Sequence, residues 1–510
     1  MSYLGLDIGT SGCKAVIFEQ DGTVLSSSFR EYLLKTPHPG WSELNSGEVI
    51  DNCFRVIREA VKDSAAPVKA MGISSQGEAF TPVGKDGEIL ANAMISSDNR
   101  AEKNVNDFCG LFGRERLYTI TGHTASPMFS LFKLLWIKEN RPEIWSRSKA
   151  FYCFEELMHS TLGIEPAISW PLAGRTMMFD IKKHSWSSEI LNEIDLPEKK
   201  LARPLQSGLV AGIIPDGIAA GLGLGSGVKV VTGGHDQTVG ALGTGITKPG
   251  SAMYATGTVD GFCLALSEFS QSEELFRGNL CCYDFPMPET YTTVAYSLTG
   301  GNILKWFRDE FGQKEIHEAE RSGKDPYSVL LANLPEEPSG LLVLPYFTPS
   351  GTPYFDSATP GAVTGLRLST TKYEFMKSLL EGVAFEMRLN LELMERSGMV
   401  INEFIATGGG AKSIRWTQMK SDVLNKPISM TRIEETGCFG AAMLACSADT
   451  GENISELVKQ PGEGSITVEP IKKNAEFYSE QFEKYKRLYS YLRELNAGSS
   501  QYAPMTGRRS

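Results

Sequence analysis

The first residues that could do chemistry stand together near the start of the chain, at positions 5–14. Apolar residues alternate around Asp7 as in a β-strand, and glycines at positions 9 and 12 permit a tight turn whose backbone N–H groups can face an anion. This pattern predicts a hairpin whose tip binds phosphate, with Asp7 placed to hold a divalent metal ion. A plain hairpin with a glycine-rich tip is the alternative, because short glycine-rich motifs have low specificity. The groups that would contact phosphate are Thr10, Ser11, Gly12 and Lys14.

A second group of reactive residues follows a short apolar run at positions 228–232. We expect a buried strand that ends in two glycines and delivers His235, Asp236 and Gln237 to its carboxyl end. A carboxylate in that place can accept a proton from a hydroxyl group, so Asp236 is the candidate general base. The alternative is structural, because Asp236 also precedes a predicted short helix and would cap its N-terminus.

Two further polar clusters lie at positions 74–78 and 96–100, each after an apolar stretch. Proteins of the α/β class place ligands at the carboxyl ends of buried strands, so both clusters are candidate substrate loops, with solvated loops as the alternative. Arg100 is the nearest cation in the sequence and could pair with Asp98. The candidate substrate contacts are Gln76, Gly77, Glu78, Asp98, Asp236 and Gln237.

The second half of the chain carries its own glycine-rich turns. Residues 255–258 repeat the strand-and-glycine-turn pattern of residues 7–10, and residues 408–413 follow a predicted strand and open a predicted helix. Backbone amides at a glycine-rich helix start bind phosphate groups or pack flat under a base.

Strands and helices alternate along the chain, which indicates an α/β protein. A chain of 510 residues is too long for one hydrophobic core, and the repeated strand-and-turn pattern predicts two related domains facing a cleft. We expect domains at 1–245 and 246–496 and a flexible tail at 497–510. The longest predicted helix covers 373–396, with Thr371 and Glu374 as its capping box, and residues 175–180 are predicted to form a strand.

Composition narrows the class of protein. The formal net charge is −11 with no long basic run, so nucleic acid is not an expected partner. The nine cysteines lack a C-x-x-C pair and the six histidines lack metal-ligand spacing, as expected for free thiols in a reducing cytoplasm. The sequence shows no signal peptide and no apolar stretch of about 20 residues, so we expect a soluble cytoplasmic protein without a membrane partner. A homodimer is left open.

Taken together and in this order, the motifs resemble those of the FGGY carbohydrate kinases, the group that contains xylulokinase, glycerol kinase, fuculokinase and ribulokinase. The likeness runs from residue 4 to about residue 451. Residues 5–14 look like the first phosphate motif of the family, and residues 256–258 look like the second. Residues 72–78 look like the substrate loop, and residues 234–237 look like the catalytic segment. Residues 408–416 look like the adenosine motif. The resemblance implies an α/β fold of two actin-like ribonuclease-H-fold domains facing a central cleft, with the sugar mainly on the first domain and ATP mainly on the second.

The resemblance also implies a role for each candidate residue. Asp236 would be the catalytic base, and Asp7 would organise Mg²⁺. Phosphate groups would contact Thr10, Ser11, Gly12 and Lys14; the nucleotide would contact Thr256, Gly257, Gly301, Gly409, Gly410 and Ser413; the substrate would contact Gln76, Gly77, Glu78, Asp98, Asp236 and Gln237.

The implied reaction is transfer of the γ-phosphate of ATP to a hydroxyl of a neutral sugar or polyol, with a ketopentose such as xylulose first and L-fuculose, erythritol or glycerol as alternatives. Glycerol kinases carry Arg-Glu where this chain has Gly77 and Glu78, and an aromatic residue where it has Met128. Xylulokinases carry Met-His after the residue equivalent to Gln76. Gly77 is therefore expected to leave room for an acceptor larger than glycerol. An actin-like ATP-binding switch or sugar sensor is the rival, and it would not need Asp236.

Overall fold

The computed structural model describes residues 1–64, 66–431, 433–459 and 466–497, and it contains two main β-sheets with helices packed against them. In chain order the strands are β1 (Ser2–Ile8), β2 (Gly12–Glu19), β3 (Val24–Glu31), β4 (Glu43–Leu44), β5 (Val68–Ser75), β6 (Phe80–Val83), β7 (Ala93–Met94), β8 (Ala150–Cys153), β9 (Ala167–Ser169), β10 (Phe179–Asp180), β11 (Ser185–Trp186), β12 (Arg203–Leu205), β13 (Val210–Ile213), β14 (Lys229–His235), β15 (Gly250–Thr256), β16 (Asp260–Leu266), β17 (Tyr283–Asp284), β18 (Tyr291–Ser297), β19 (Leu342–Leu344), β20 (Ala362–Thr364), β21 (Ile401–Thr407), β22 (Ile428–Met430) and β23 (Ile466–Val468).

The α-helices are α1 (Ser46–Asp63), α2 (Glu102–Phe112), α3 (Arg114–Thr121), α4 (Ser130–Asn140), α5 (Pro142–Arg147), α6 (Phe154–Thr161), α7 (Trp170–Gly174), α8 (Ser188–Glu193), α9 (Asp216–Gly221), α10 (Asp236–Gly243), α11 (Glu273–Arg277), α12 (Gly301–Phe311), α13 (Gln313–Ser322), α14 (Pro326–Ala332), α15 (Lys372–Arg396), α16 (Ile414–Leu424), α17 (Thr436–Thr450), α18 (Ile454–Leu457) and α19 (Lys472–Ala497). Among the described residues, no helix is both long enough and apolar enough to cross a membrane.

The first sheet has six strands in the order β13-β14-β5-β1-β2-β3. Strands β1, β5 and β14 are parallel, so their carboxyl ends lie at the same edge of the sheet. In this register Asp7 lies opposite Ser74, and Ser75 lies opposite His235. Three segments that are distant in sequence therefore bring their polar ends together, as the sequence pattern predicts.

The second sheet has seven strands in the order β17-β18-β16-β15-β21-β22-β23. Strands β15 and β16 form an antiparallel pair in which Thr256 lies opposite Asp260. Strand β15 is also parallel to β21, with Ala255 opposite Thr407. The glycine-rich turns that follow β15 and β21 consequently lie side by side.

Helix α17 comes from the second half of the chain but packs on the first sheet. A Cβ atom at Gly5 would lie 1.8 Å from the carbonyl oxygen of Cys438, and one at Gly72 would lie 2.0 Å from that of Ala441. Glycine is required at both strand positions because any side chain there would collide with the helix backbone. The helix thus ties the two halves together, and the division at 245/246 stays a prediction.

Two sequence predictions about local structure are corrected. Helix α15 begins with the expected capping box of Thr371 and Glu374, but α19 is longer, with 26 residues against 25. Residues 175–180 are not one strand, because only Phe179–Asp180 is extended and the preceding residues form a turn after α7. A short, fully buried apolar run has the same sequence signature in a turn as in a strand. The predicted tail beyond residue 497 lies outside the described residues.

Candidate active site

Asp7 lies where β1 ends, at the polar edge of the first sheet. Its Oδ1 accepts a 2.7 Å hydrogen bond from the hydroxyl of Ser74, its neighbour on β5. Removal from water raises the pKa of Asp7, the Ser74 hydrogen bond opposes this, and the charge of Glu435 raises it further. A compensating cation at this carboxylate would therefore be favourable.

The tip of the first hairpin is closed by its own backbone and by Gln76. The N–H of Gly9 donates to the carbonyl of Gly12 over 3.0 Å, and Gln76 Nε2 donates to the carbonyl of Gly9 over 2.8 Å. The hydroxyls of Thr10 and Ser11 are exposed at the tip, where a phosphate group could reach them. Gln76 therefore braces the phosphate hairpin, and its predicted contact with substrate stays a prediction.

Lys14 connects the hairpin to the second half of the chain. Its ammonium group lies 2.6 Å from Oε1 of Glu435, just before α17. It also lies 5.1 Å from the ring centroid of Phe29, on the adjacent strand β3. The ammonium group of Lys14 thus lies beside the hairpin but is already paired with the carboxylate of Glu435.

Asp236 is the first residue of α10, at the end of β14, and its side chain is 27% exposed. His235, not Asp236, occupies the N-cap position and makes no side-chain capping bond, while Oδ1 of Asp236 accepts a 2.7 Å hydrogen bond from the N–H of Gln237. Burial raises the pKa of Asp236 to about 8, and the negative charges of Asp7 and Glu78 act in the same direction. Gln237 itself is partly exposed in the first helical turn.

His235 connects Asp236 to a residue of the second sheet. Its Nε2 lies 3.2 Å from Oδ1 of Asp236, and its Nδ1 lies 2.9 Å from the hydroxyl oxygen of Tyr283. Burial, followed by the charge of Arg175, lowers the pKa of His235 well below its ordinary value. The imidazole is therefore neutral near pH 7. Sequence reasoning missed Tyr283, because β17 is only two residues long and has no recognisable strand pattern.

Glu78 is buried and its carboxylate is paired with Arg175, which follows α7. The other carboxylate oxygen accepts from the hydroxyl of Ser96, while the backbone carbonyl of Glu78 accepts from Ser130 over 2.9 Å. Glu78 has a φ of 62°, an uncommon conformation for a residue with a side chain. Sequence reasoning missed Arg175, since nothing in the sequence of a buried turn indicates which carboxylate its arginine meets.

Gly77 lies close to His235 and Arg175. A Cβ atom at this position would lie 3.0 Å from Cδ2 of His235 and 3.3 Å from Cβ of Arg175. A side chain at Gly77 would need His235 or Arg175 to shift by a few tenths of an ångström, and the inference that Gly77 leaves room for an acceptor larger than glycerol stays a prediction.

Asp98 is fully buried and its carboxylate is paired with the guanidinium group of Arg100, with Nη2 2.7 Å from Oδ2. Arg100 also pairs with Glu43 and lies 3.7 Å from the ring centroid of Trp41. The backbone N–H of Ser42 donates to Asp98 over 2.7 Å. These contacts support the loop from within, and direct contact of Asp98 with substrate stays a prediction.

The candidate nucleotide residues line the edge of the second sheet. The N–H of Gly301 donates to the carbonyl of Gly257 over 2.9 Å. The hydroxyl of Thr256 accepts from the ammonium group of Lys420, which pairs with Asp260 over 2.7 Å. Ser413 caps α16 by accepting from the N–H of Trp416. A buried lysine beneath the second phosphate motif was not foreseen from the sequence.

An open cleft of about 450 Å³ lies between the turn after β21 and the segment that leads into α17. It is lined by Gly409, Met430 and Glu434, among others. No described atom lies within 4 Å of a Cβ position at Gly409, whereas one at Gly410 would lie 2.2 Å from Cγ2 of Thr256. The two glycines thus differ: Gly409 faces the cleft and Gly410 packs against β15.

The donor groups present suit a magnesium ion brought in with phosphate. Within the described residues no cluster of three or more His, Cys, Asp or Glu side chains could bind a metal alone. Mg²⁺ needs only one or two carboxylates because phosphate oxygens and water complete its shell. Asp7, with one oxygen bonded by Ser74, fits this requirement beside the phosphate hairpin.

Two models of known protein families match most of the chain. The N-terminal domain of the FGGY family of carbohydrate kinases matches residues 2–243, and the C-terminal domain of that family matches residues 252–448. The chain therefore belongs to the FGGY family and is a two-domain sugar kinase that acts on a small-molecule sugar. Kinases of this family use ATP as the phosphate donor, generally with a divalent metal.

Individual relatives cover nearly the full length. The chain is 27% identical to the xylulose kinase of Bacillus subtilis (strain 168), covering 97% of this chain and 98% of that protein. It is also 27% identical to the gluconokinase of the same strain, covering 89% and 90%. The crystal structure of a xyloylose kinase from Brucella ovis superposes with a TM-score of 0.87 at 26% identity, covering 97% of this chain and 100% of that one.

Proposed function

We propose that this kinase phosphorylates a neutral ketose or polyol, with a ketopentose such as xylulose as the leading acceptor. The observation that carries the proposal is the position of Asp236, a carboxylate with a raised pKa at the edge where β1, β5 and β14 end together. The acceptor hydroxyl attacks the γ-phosphorus, the bond from that phosphorus to the β,γ-bridging oxygen breaks, and Asp236 accepts the hydroxyl proton.

The charges around the cleft favour a neutral acceptor over a sugar acid. Four cations near the candidate residues already have carboxylate partners, and the buried Lys133 donates to the backbone carbonyls of Glu78 and Met94, so a substrate carboxylate would have to compete with these groups for a counter-charge. These pairs are Lys14–Glu435, Arg100–Asp98, Arg175–Glu78 and Lys420–Asp260. Asp7 and the ionised form of Asp236 add further negative charge at this edge. A sugar acid in the closed cleft would be repelled by these carboxylates. This repulsion favours xylulose over gluconate among the substrates named for the relatives.

On the donor side we propose that Thr10, Ser11 and Lys14 contact the phosphates and that the cleft at Gly409 holds the adenosine. The divalent metal would be Mg²⁺, held by Asp7 together with phosphate oxygens, and it would neutralise charge that develops on the phosphates. This placement is supported by the exposed hydroxyls of the hairpin tip and by the open space at Gly409. The hydroxyl of Thr10 also donates to Oε1 of Gln76 over 3.5 Å.

A substrate screen tests the proposal. ADP release would be measured with xylulose, ribulose, L-fuculose, erythritol, glycerol, gluconate and a sugar phosphate, and the highest kcat/KM is expected for a neutral ketopentose. Asp236→Asn, prepared in parallel, should lose roughly 10²–10⁴-fold in turnover and so excludes a contaminating kinase. A best substrate that is anionic, or glycerol itself, would contradict the assignment of the acceptor.

We also propose that the protein is located in the cytoplasm. All nine cysteines are free and buried, which fits a reducing cytoplasm. The domain division at 245/246 is retained in the proposal. A homodimer stays open, and light scattering on the purified protein would decide it.

A further inference from the structure

The two carboxylate oxygens of Asp236 have different surroundings. Oδ1 accepts from the backbone N–H of Gln237 over 2.7 Å and lies 3.2 Å from Nε2 of His235. Oδ2 has no hydrogen-bond partner among the described residues. One oxygen is therefore held by the protein and the other is left for an incoming hydroxyl group.

The tautomer of His235 follows from its two neighbours. A neutral imidazole carries one N–H, and an ionised carboxylate can only accept. When Asp236 is ionised, the form in which it acts as a base, the N–H must lie on Nε2, facing Asp236, because the other tautomer would set a lone pair against the carboxylate. Nδ1 is then an acceptor, and the hydroxyl of Tyr283 must donate to it over the observed 2.9 Å.

Tyr283 is held in place from both halves of the molecule. It lies on β17 of the second sheet, while the N–H of its neighbour Cys282 donates to the carbonyl of Gly122 over 2.8 Å. The centroid of its ring lies 4.9 Å from the ring centroid of His123. The same centroid lies 5.7 Å from Cζ of Arg175. The hydroxyl that fixes His235 therefore has little freedom to move.

We infer that His235 is a positioning residue, which Tyr283 locks in one tautomer so that Oδ1 of Asp236 is held and Oδ2 faces the acceptor hydroxyl. The inference rests on the proposed role of Asp236 as the base. It adds a chain of three side chains, Tyr283–His235–Asp236, that joins the second sheet to the catalytic carboxylate. The expected consequence is an effect on turnover without an effect on substrate binding.

Three variants test this chain. Tyr283→Phe removes only the donor to Nδ1 and should lower kcat roughly threefold to tenfold. His235→Leu removes both contacts and should lower kcat roughly tenfold to a hundredfold, whereas His235→Gln keeps an N–H near the position of Nε2 and should recover part of that loss. KM for sugar and for ATP should stay within about twofold in each variant, as expected for an interaction that matters only during the chemical step.

The double variant Tyr283→Phe/His235→Leu should be no slower than His235→Leu alone, because Tyr283 acts through His235. His184→Gln is the matched control, since His184 binds Asp284 of the same strand over 2.9 Å without touching Asp236. It should leave kcat unchanged. Thermal unfolding of every variant would separate a loss of folded protein from a loss of turnover.

The results separate this inference from the proposed function. If Asp236→Asn is inactive but Tyr283→Phe and His235→Leu turn over like the parent, only the positioning role fails. Additive losses in the double variant, or no recovery with His235→Gln, would also overturn it. If Asp236→Asn itself is fully active, the assignment of the base fails first.

Discussion

The carboxylate of Glu78 and the guanidinium group of Arg175 form an ion pair in which both side chains are buried, with exposures of 2% and 8%. The sequence alone shows only the acidic half of this pair, in a loop that reads as rich in hydrogen-bond acceptors. The arginine offsets the charge of Glu78, and the predicted contact of Glu78 with substrate hydroxyls stays a prediction. The pair fixes the loop that carries Gly77 against His235.

Breaking this pair should have two effects. Glu78→Ala leaves a buried guanidinium group without its partner, so we expect a loss of about 3–5 kcal/mol in the free energy of unfolding and a KM for the sugar raised more than roughly tenfold. Glu78→Gln, which frees the cation with less change in shape, should raise kcat/KM for gluconate relative to the ketopentose. Denaturant unfolding and the substrate panel measure both effects. Equal stability of Glu78→Ala and the parent would show that the pair is not what holds the loop.

The pKa of Asp236 predicts how the rate depends on pH. A base must be deprotonated to act, so with both substrates well below KM the rate should rise with pH until about pH 8. Burial is the main cause of the raised pKa, and the groups that face Asp236 with charge are Asp7 and Glu78, which raise it, and Arg175, which lowers it. Asp7→Asn removes one negative charge and should move this limb to lower pH. An unmoved limb, or an equal shift in Glu434→Gln, would contradict the assignment.

Asp7→Asn should also weaken the response to metal. The amide keeps the size of the side chain and can still accept from Ser74, but it lacks the charge that attracts Mg²⁺. We expect turnover to fall by roughly 10²-fold or more and the Mg²⁺ concentration for half-maximal rate to rise, while sugar affinity is kept. Metal titrations of the two proteins that coincide would make Asp7 a structural residue.

Gly409→Val should weaken nucleotide binding, because the new side chain would project into the open cleft of about 450 Å³. We expect the dissociation constant for ATP to rise at least about tenfold, or about 1.4 kcal/mol, with little change for the sugar. Gly225→Val is the matched control, since a Cβ at Gly225 also has no described atom within 4 Å. Calorimetry measures ATP binding by both variants and the parent. Equal ATP affinity of Gly409→Val and the parent would show that the adenosine does not bind in this cleft.

Helix α19 is bonded to α15 by tyrosine hydroxyls that donate to buried carboxylates. Glu386 of α15 accepts from Tyr485 of α19 and also from Tyr346, which follows β19. Burial raises the pKa of Glu386 from 4.5 to about 7. Its protonated form is thus favoured in the folded state, so its contribution to stability is complete below about pH 4.5 and is lost as the pH rises through 7. Glu386→Gln imitates the protonated form and should gain roughly 2–3 kcal/mol relative to the parent between pH 5 and pH 8. A stability difference that does not change with pH would contradict this.

Local patterns in the sequence were sufficient to predict the architecture and to select the candidate catalytic groups. Alternation around Asp7, the glycines of the hairpin and the strand before Asp236 are short-range features, and each follows from backbone geometry and hydrophobic periodicity. The common edge of β1, β5 and β14 also follows, because parallel strands end on the same side of a sheet. These features lie within a few residues of one another, so one sequence is enough to recognise them.

Only the tertiary structure decided which charges meet. Glu78 with Arg175, Lys14 with Glu435 and Lys420 with Asp260 are pairs whose members are distant in sequence. The same holds for the contact of Tyr283 with His235 and for α17 on the first sheet. Such contacts depend on how whole elements pack, and a buried charge takes whichever partner that packing supplies. The sequence therefore determined the reaction that this protein performs. The packing determined which charged side chains of the site are paired, how much room the site has and how its side chains are oriented.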